Sequence, residues 1–183
     1  RLPLAGHIGL ITQTTTTAAA LLDYAEKYRF GFSSVVSVGA ETDVALDEVI
    51  DCLVEDEDTQ VIAVDVLALR RPRAFFSAVR AASRIKPVLI LYGSDGEGIS
   101  ALTAARLNAP VAEPDNFRAA VKKAGAVATD SLSDFCGALR LLADGRLPRG
   151  PRTAVLGNGV GAAAAGAGAL TQAGLALAHL SGP

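Results

Sequence analysis

The chain has 183 residues, half of them apolar, with a formal net charge of −2 and acidic and basic side chains interspersed along its length. That is ample for a packed core, and it leaves no basic face of the kind that binds a nucleic-acid backbone. The longest apolar runs, such as Pro87 to Tyr92, are strand-length, and the alanine-rich stretch 161–178 is interrupted by glycines and polar residues, so no membrane role is expected. Cys52 and Cys136 lie in stretches of helical spacing with no second Cys or His at ligand distance. Buried reduced thiols, a cytoplasmic setting and no metal site are the expectation.

Short β-type runs alternate with longer amphipathic stretches. The pattern predicts strands at 8–12, 34–38, 60–67 and 88–92, and helices at 16–28, 44–55 and 73–85 between them. Such alternation implies βαβ units and a doubly wound parallel sheet, a three-layer α/β/α fold. In the second helix Val44, Ile50, Leu53 and Val54 recur at helical intervals, with Thr42 or Asp43 as N-cap. Lys86-Pro87 ends one helix and starts a strand. The glycines of segment 93–98 mark a loop crossing an end of the sheet. Further helices are predicted at 115–124 and 132–143, separated by a strand at 126–129, with Ser131 and Asp134 as a capping box for the last.

One domain can therefore close at residue 144. Residues 145–151, Gly-Arg-Leu-Pro-Arg-Gly-Pro, have the composition of a linker, and 152–183 restart the strand, glycine turn and helix pattern as the beginning of a second, truncated unit. One βαβ unit cannot bury both faces of its sheet, so residues 152–183 are expected to pack on the first domain or on further sequence. The chain begins with Arg and stops just after an apolar run, which reads as a piece of a longer polypeptide.

Two turns could carry a ligand. Thr12-Gln13-Thr14-Thr15 follows the first strand and opens the first helix, at the sheet edge where open α/β folds bind ligands. Hydroxyls and backbone N–H groups there suit a phosphate or carboxylate, or the threonines simply cap the helix. Gly157-Asn158-Gly159-Val160-Gly161 also precedes a helix. Its glycine spacing differs from the dinucleotide fingerprint and no acidic residue follows at ribose distance, so by itself it is a tight strand-to-helix turn or a ligand loop.

Residues 31–39 (Gly-Phe-Ser-Ser-Val-Val-Ser-Val-Gly), Thr42-Asp43-Val44 and 55–62 (Glu-Asp-Glu-Asp-Thr-Gln-Val-Ile) resemble the ligase domain of NDP-forming acyl-CoA synthetases, relatives of the succinyl-CoA synthetase α subunit. Phe75, Lys86-Pro87, Lys123-Ala124-Gly125 and Leu147-Pro148-Arg149-Gly150 continue the match over nearly the whole chain. The resemblance implies a flavodoxin-like fold and, in a working enzyme, a phosphohistidine that links acyl phosphate, CoA and nucleotide.

The reaction centre departs from that pattern. The family's Ser-Gln-Ser-Gly resembles Thr12-Gln13-Thr14-Thr15, with both hydroxyls kept and the glycine replaced by a β-branched residue that crowds an approaching phosphate. Its Ser-His-Thr-Gly falls on Ala105-Arg106-Leu107-Asn108, its Tyr-Leu-Glu on Asp65-Val66-Leu67, and its Lys-Ser-Gly on Tyr92-Gly93-Ser94. Arg106 thus stands at the histidine position and Leu67 at that of the orienting glutamate. A guanidinium has no lone pair with which to take up a phosphoryl group. Arg106 is expected to pair with Asp95, Glu97 or Glu113, or to hold an anion. Asp65 shares a strand face with residue 67 about 7 Å away, too far to replace the glutamate readily. His7 and His179 are distant in sequence and read as structural or incidental.

No catalytic residue is therefore expected in this chain. The losses are similar to those in the acyl-CoA synthetase-like region of bacterial protein lysine acetyltransferases, where such a region is joined to a GNAT domain. That resemblance implies a regulatory domain with Thr12, Gln13, Thr14, Thr15, Gly157, Asn158 and Gly159 as ligand candidates. CoA, acyl-CoA, ATP or ADP are its expected ligands. ATP-grasp, CoA-binding and GNAT domains of the same polypeptide, or a second copy of the chain, are its expected partners. An active ADP-forming acetate–CoA ligase and a purely structural assembly domain stand as the alternatives.

Overall fold

In the computed structural model, which describes residues 3–92, 105, 113–143 and 150–179, the expected alternation folds into a five-stranded parallel sheet. β1 spans Ala5–Thr12, β2 Phe32–Ser37, β3 Val61–Val66, β4 Val88–Tyr92 and β5 Val127–Thr129. Their order is β2-β1-β3-β4-β5, with every neighbouring pair parallel. This is the flavodoxin-type order, in which the winding direction reverses between β1 and β3 and a crevice opens at their carboxyl ends. Among the described residues, the helices of the first unit are α1 Thr15–Tyr28, α2 Leu46–Glu55, α3 Pro72–Ala82, α4 Pro114–Ala124 and α5 Leu132–Leu142.

Strand parity decides the layers. Ile62, Val64 and Val66 pack with Leu46, Ile50, Phe75, Val79 and Phe117 from α2, α3 and α4, whereas Val61 and Ala63 pack with Leu21, Ala25, Phe135 and Leu139 from α1 and α5. Because strand side chains alternate, Ile8, Leu10 and Thr12 of β1 and Val61, Ala63 and Asp65 of β3 share the α1 face. The register pairs Thr12 with Asp65, so two polar residues meet at the carboxyl end of an otherwise apolar stripe. The three-layer doubly wound expectation holds.

Element ends differ at α2. The helix begins at Leu46 rather than Val44, and neither Thr42 nor Asp43 caps it. Glu41, in a left-handed conformation at φ 52°, instead accepts the Leu46 N–H through Oε2 at 3.0 Å, and Glu48 Oε2 accepts the Ala45 N–H at 2.9 Å. Two carboxylates thereby serve the helix start, where they also complement its dipole. Val44 consequently lies outside the helix and is exposed. Cys52 is exposed as well, contrary to expectation, because Leu46, Val49, Ile50 and Leu53 take the buried face; Cys136 is buried. Ser131 caps α5 as expected, accepting the Asp134 N–H at 3.0 Å. Lys86 closes the opposite end of α2, its Nζ donating to the Leu53 and Asp56 carbonyls at 2.8 and 2.6 Å.

The chain divides into two compact units, Arg1–Gly145 and Arg146–Pro183. Taken by itself, the second has β6 (Arg152–Thr153) and β7 (Ala176–Leu177) paired in parallel, joined through α6 (Val160–Gln172). None of the α6 side chains is buried within this unit. Among the described residues no helix is long and apolar enough to cross a membrane.

Candidate functional site

The carboxyl end of β1 runs straight into α1, and each residue of that turn has a distinct task. Gln13 is buried and uses its whole amide. Nε2 donates to Glu41 Oε1 at 2.9 Å and to the Ala68 carbonyl at 2.8 Å, while Oε1 accepts the N–H groups of Leu67 and Ala68 at 2.7 and 3.1 Å. With both donors and both acceptor positions engaged, Gln13 clamps the β1 turn to the segments after β2 and β3. Leu67, at the expected glutamate position, takes part through its backbone and lies just past the end of β3.

Thr12 is fully buried, and its Oγ1 accepts the Thr14 N–H at 3.0 Å. The same atom lies 2.8 Å from both the Thr14 carbonyl oxygen and Asp65 Oδ2. Thr14 is the N-cap of α1, accepting the Thr17 N–H at 3.3 Å, with its Oγ1 2.7 Å from Thr17 Oγ1 and 3.4 Å from Asp65 Oδ2. Thr15 and Thr16 are exposed in the first turn. Asp65, 1% exposed, is therefore the hub of a hydroxyl cluster. Burial pushes its carboxyl above the ordinary aspartate value, and the hydroxyl bonds from Thr12, Thr17 and Thr14 pull the other way without cancelling it.

The geometry has a matching proton count. Thr12 carries one hydroxyl proton and faces two acceptors. Asp65 Oδ2 and the Thr14 carbonyl oxygen therefore share that one donor, so the Thr12 hydroxyl offsets the burial of the carboxyl only in part. A carboxyl whose folded value is raised adds stability below the ordinary aspartate range, and that stability is lost as pH rises through the raised value. Asp65→Asn, which is neutral at every pH, is expected to remove this component of the pH profile. It should also gain on the order of 1 kcal/mol at neutral pH. Urea unfolding across pH 3 to 8 checks both; an unchanged profile would contradict a charge-limited Asp65.

The one histidine of the first unit stands apart from this cluster. His7 lies near the amino end of β1, exposed, with Nδ1 3.2 Å from the Asp58 carbonyl oxygen. Five strand residues, about 17 Å, separate it from Thr12. His179 is exposed in the second unit, directly after Ala178. Arg106, Leu107 and Asn108, with Ser94, Asp95 and Glu97, lie outside the described residues. Among the described residues, Arg71 pairs with Asp47 and Glu48 at 2.9 and 3.1 Å, and Arg70 donates to the Glu41 carbonyl at 2.8 Å. Among the described residues no group of three or more His, Cys, Asp or Glu side chains could hold a metal ion.

The second candidate turn has another character. Gly157, Asn158 and Gly159 are exposed and, with Thr153, Ala163 and Ala178, line an open cavity of about 530 Å³. Gly159 is the N-cap of α6, in extended conformation, with no side-chain cap. A Cβ at Gly159 or Gly161 would meet nothing within 4 Å, and one at Gly157 would make only ordinary contact with Ala163. None of the three has a positive φ. Within this unit, neither backbone conformation nor packing demands glycine; what glycine supplies is room for another group to approach the backbone.

Residues 5–142 match the family described as the succinyl-CoA ligase like flavodoxin domain. Similar proteins include the ADP-forming acetate–CoA ligase II of Archaeoglobus fulgidus, 28% identical over 178 residues, covering 96% of this chain and 26% of the relative. The α subunit of the ADP-forming acetate–CoA ligase II of Pyrococcus furiosus is 24% identical over 175 residues, covering 96% of this chain and 38% of the subunit. The dinucleotide-forming acetyl-coenzyme A synthetase 1 of Ca. Korarchaeum cryptofilum, solved in complex with phosphate and ADP, superposes with a TM-score of 0.87 at 25% identity, over 97% of this chain and 39% of that one. The chain thus spans well under half the length of these relatives.

Proposed function

The chain belongs to the succinyl-CoA ligase like flavodoxin domain family, and from that premise we propose that it is a non-catalytic, regulatory acyl-CoA synthetase-like domain of a longer bacterial protein lysine acetyltransferase. One observation carries this. The first unit supplies no imidazole to the carboxyl edge of its own five-stranded sheet, since its one histidine in the sequence is His7, near the opposite end of β1. Arg106 stands at the histidine position of the resembled motif and can hold an anion without carrying a phosphoryl group.

The scaffold, by contrast, is kept, with buried Gln13 and Glu41 tying three sheet-edge segments together. Its remaining use is to bind. The glycine turn at 157–159 opens on a cavity with backbone accessible at a helix start, which suits the phosphates of acyl-CoA, CoA or a nucleotide. Acetyltransfer would reside in a GNAT domain elsewhere in the polypeptide, and the ligand state of this domain would tune it.

Calorimetric titration of the full-length protein with acetyl-CoA, CoA, ATP and ADP tests the binding role. Saturable binding of at least one, abolished by Gly159→Val, is the expected result. Silence with all four would remove ligand sensing and leave only an assembly role.

A further inference from the structure

The β1/β3 switch point is where a doubly wound sheet ordinarily receives its ligand, because winding in opposite directions parts the loops there. In this chain that crevice holds a side chain of its own. Asp65 reaches it from the carboxyl end of β3, directly across the register from Thr12, and both lie on the face that leads to the start of α1. Thr12 Oγ1 is 2.8 Å and Thr14 Oγ1 3.4 Å from the same carboxyl oxygen, and Thr17 adds a third hydroxyl. The side chain is buried.

We propose that Asp65 is a specificity-determining residue that closes the β1/β3 crevice to phosphate-bearing ligands. Its carboxyl takes up the two hydroxyls, Thr12 and Thr14, that the resembled motif would offer to a phosphate beside the α1 amides. It excludes a second anion in two ways. An oxygen of the carboxyl already fills the volume between the hydroxyls, and whenever the group is ionised its charge repels a phosphoryl dianion at contact distance. The helix start, with its partial positive charge, is thus served from within. This goes beyond the regulatory reading and does not need it, since a domain that only mediates assembly would carry the same closed crevice.

Thr15 also crowds the first turn, so the effect of Asp65 is isolated in a Thr15→Gly background. Inorganic phosphate is titrated calorimetrically into full-length Thr15→Gly and into full-length Thr15→Gly with Asp65→Ala. Circular dichroism melts confirm that each is folded, and Asp65→Ser replaces Asp65→Ala if the latter does not fold. The double variant is expected to bind phosphate at least tenfold more tightly than Thr15→Gly alone, and Thr12→Val added to it should abolish the gain. Equal phosphate affinity in the single and double variants, or no binding by a folded double variant, would overturn the assignment. Neither outcome bears on CoA or nucleotide binding, which the calorimetry of the unmodified protein reads separately.

Discussion

Replacing Gln13 with alanine is expected to destabilise the first unit by about 3–5 kcal/mol, because the change strands several buried groups at once. The Leu67 and Ala68 N–H groups lose their acceptor, and the Ala68 carbonyl and Glu41 Oε1 lose their donor. Each is expensive to leave unpaired away from water, and Glu41 also holds the first N–H of α2. Gln13→Glu should be nearly as costly, since it brings a carboxylate against Glu41 and removes the donor to Ala68. Urea unfolding, with a fall in Tm on the order of 10 °C, reads the effect. Were Gln13 instead a loosely held ligand contact, alanine would leave stability within about 0.5 kcal/mol of the starting protein.

Gly31→Ala should cost about 3 kcal/mol for a different reason. Here β1 and β2 cross so closely that Ala5 and Ile8 both pair with Phe32, with a register shift between them. A Cβ at Gly31 would stand well inside contact distance of the Ala5 and Leu4 carbonyl oxygens, and one at Gly6 would do the same to the Gly31 backbone. The obstacles are main-chain atoms, which cannot rotate aside, and the Phe32 N–H to Leu4 carbonyl bond of 2.9 Å depends on the same approach. Gly159→Ala, where a Cβ meets open space, serves as the control and should lie within about 0.5 kcal/mol of the parent. Equal stability of the two variants would contradict the close crossing.

What the sequence made legible was whatever a short window contains. Val61 to Val66 reads as a strand buried on both faces because it is one, and α3, α4 and α5 begin within a residue of their expected positions, two of them with Pro at the first helical turn. The start of α2 misled because Thr42 and Asp43 are good caps by type, whereas the groups that serve the helix are Glu41, reached through a left-handed residue, and Glu48. The latter signal was available, as a glutamate three residues after Ala45 is half of a capping box. Gln13 could not be assigned its clamp, since its partners lie 28 and 55 positions away. Asp65 leaves a trace, a lone carboxyl in an apolar run from Val61 to Leu69, which by sequence reads only as a distant stand-in for the glutamate that the resembled motif has at the position of Leu67. Its partners are three threonines some fifty residues earlier, brought to it by the β1–β3 register.

Gln13 and Glu41 hold the edge of the family scaffold together. The proposed function takes this scaffold to lack the family's chemistry, with Arg106 at the position of the group that would take up phosphorus. Incubating the full-length protein with γ-labelled ATP, and with labelled phosphate plus acetyl-CoA, tests this most directly. No acid-labile label should be retained on the chain, and His179→Asn should change nothing. Stoichiometric acid-labile phosphorylation that disappears in His179→Asn or His7→Asn would contradict the account and restore a working ligase.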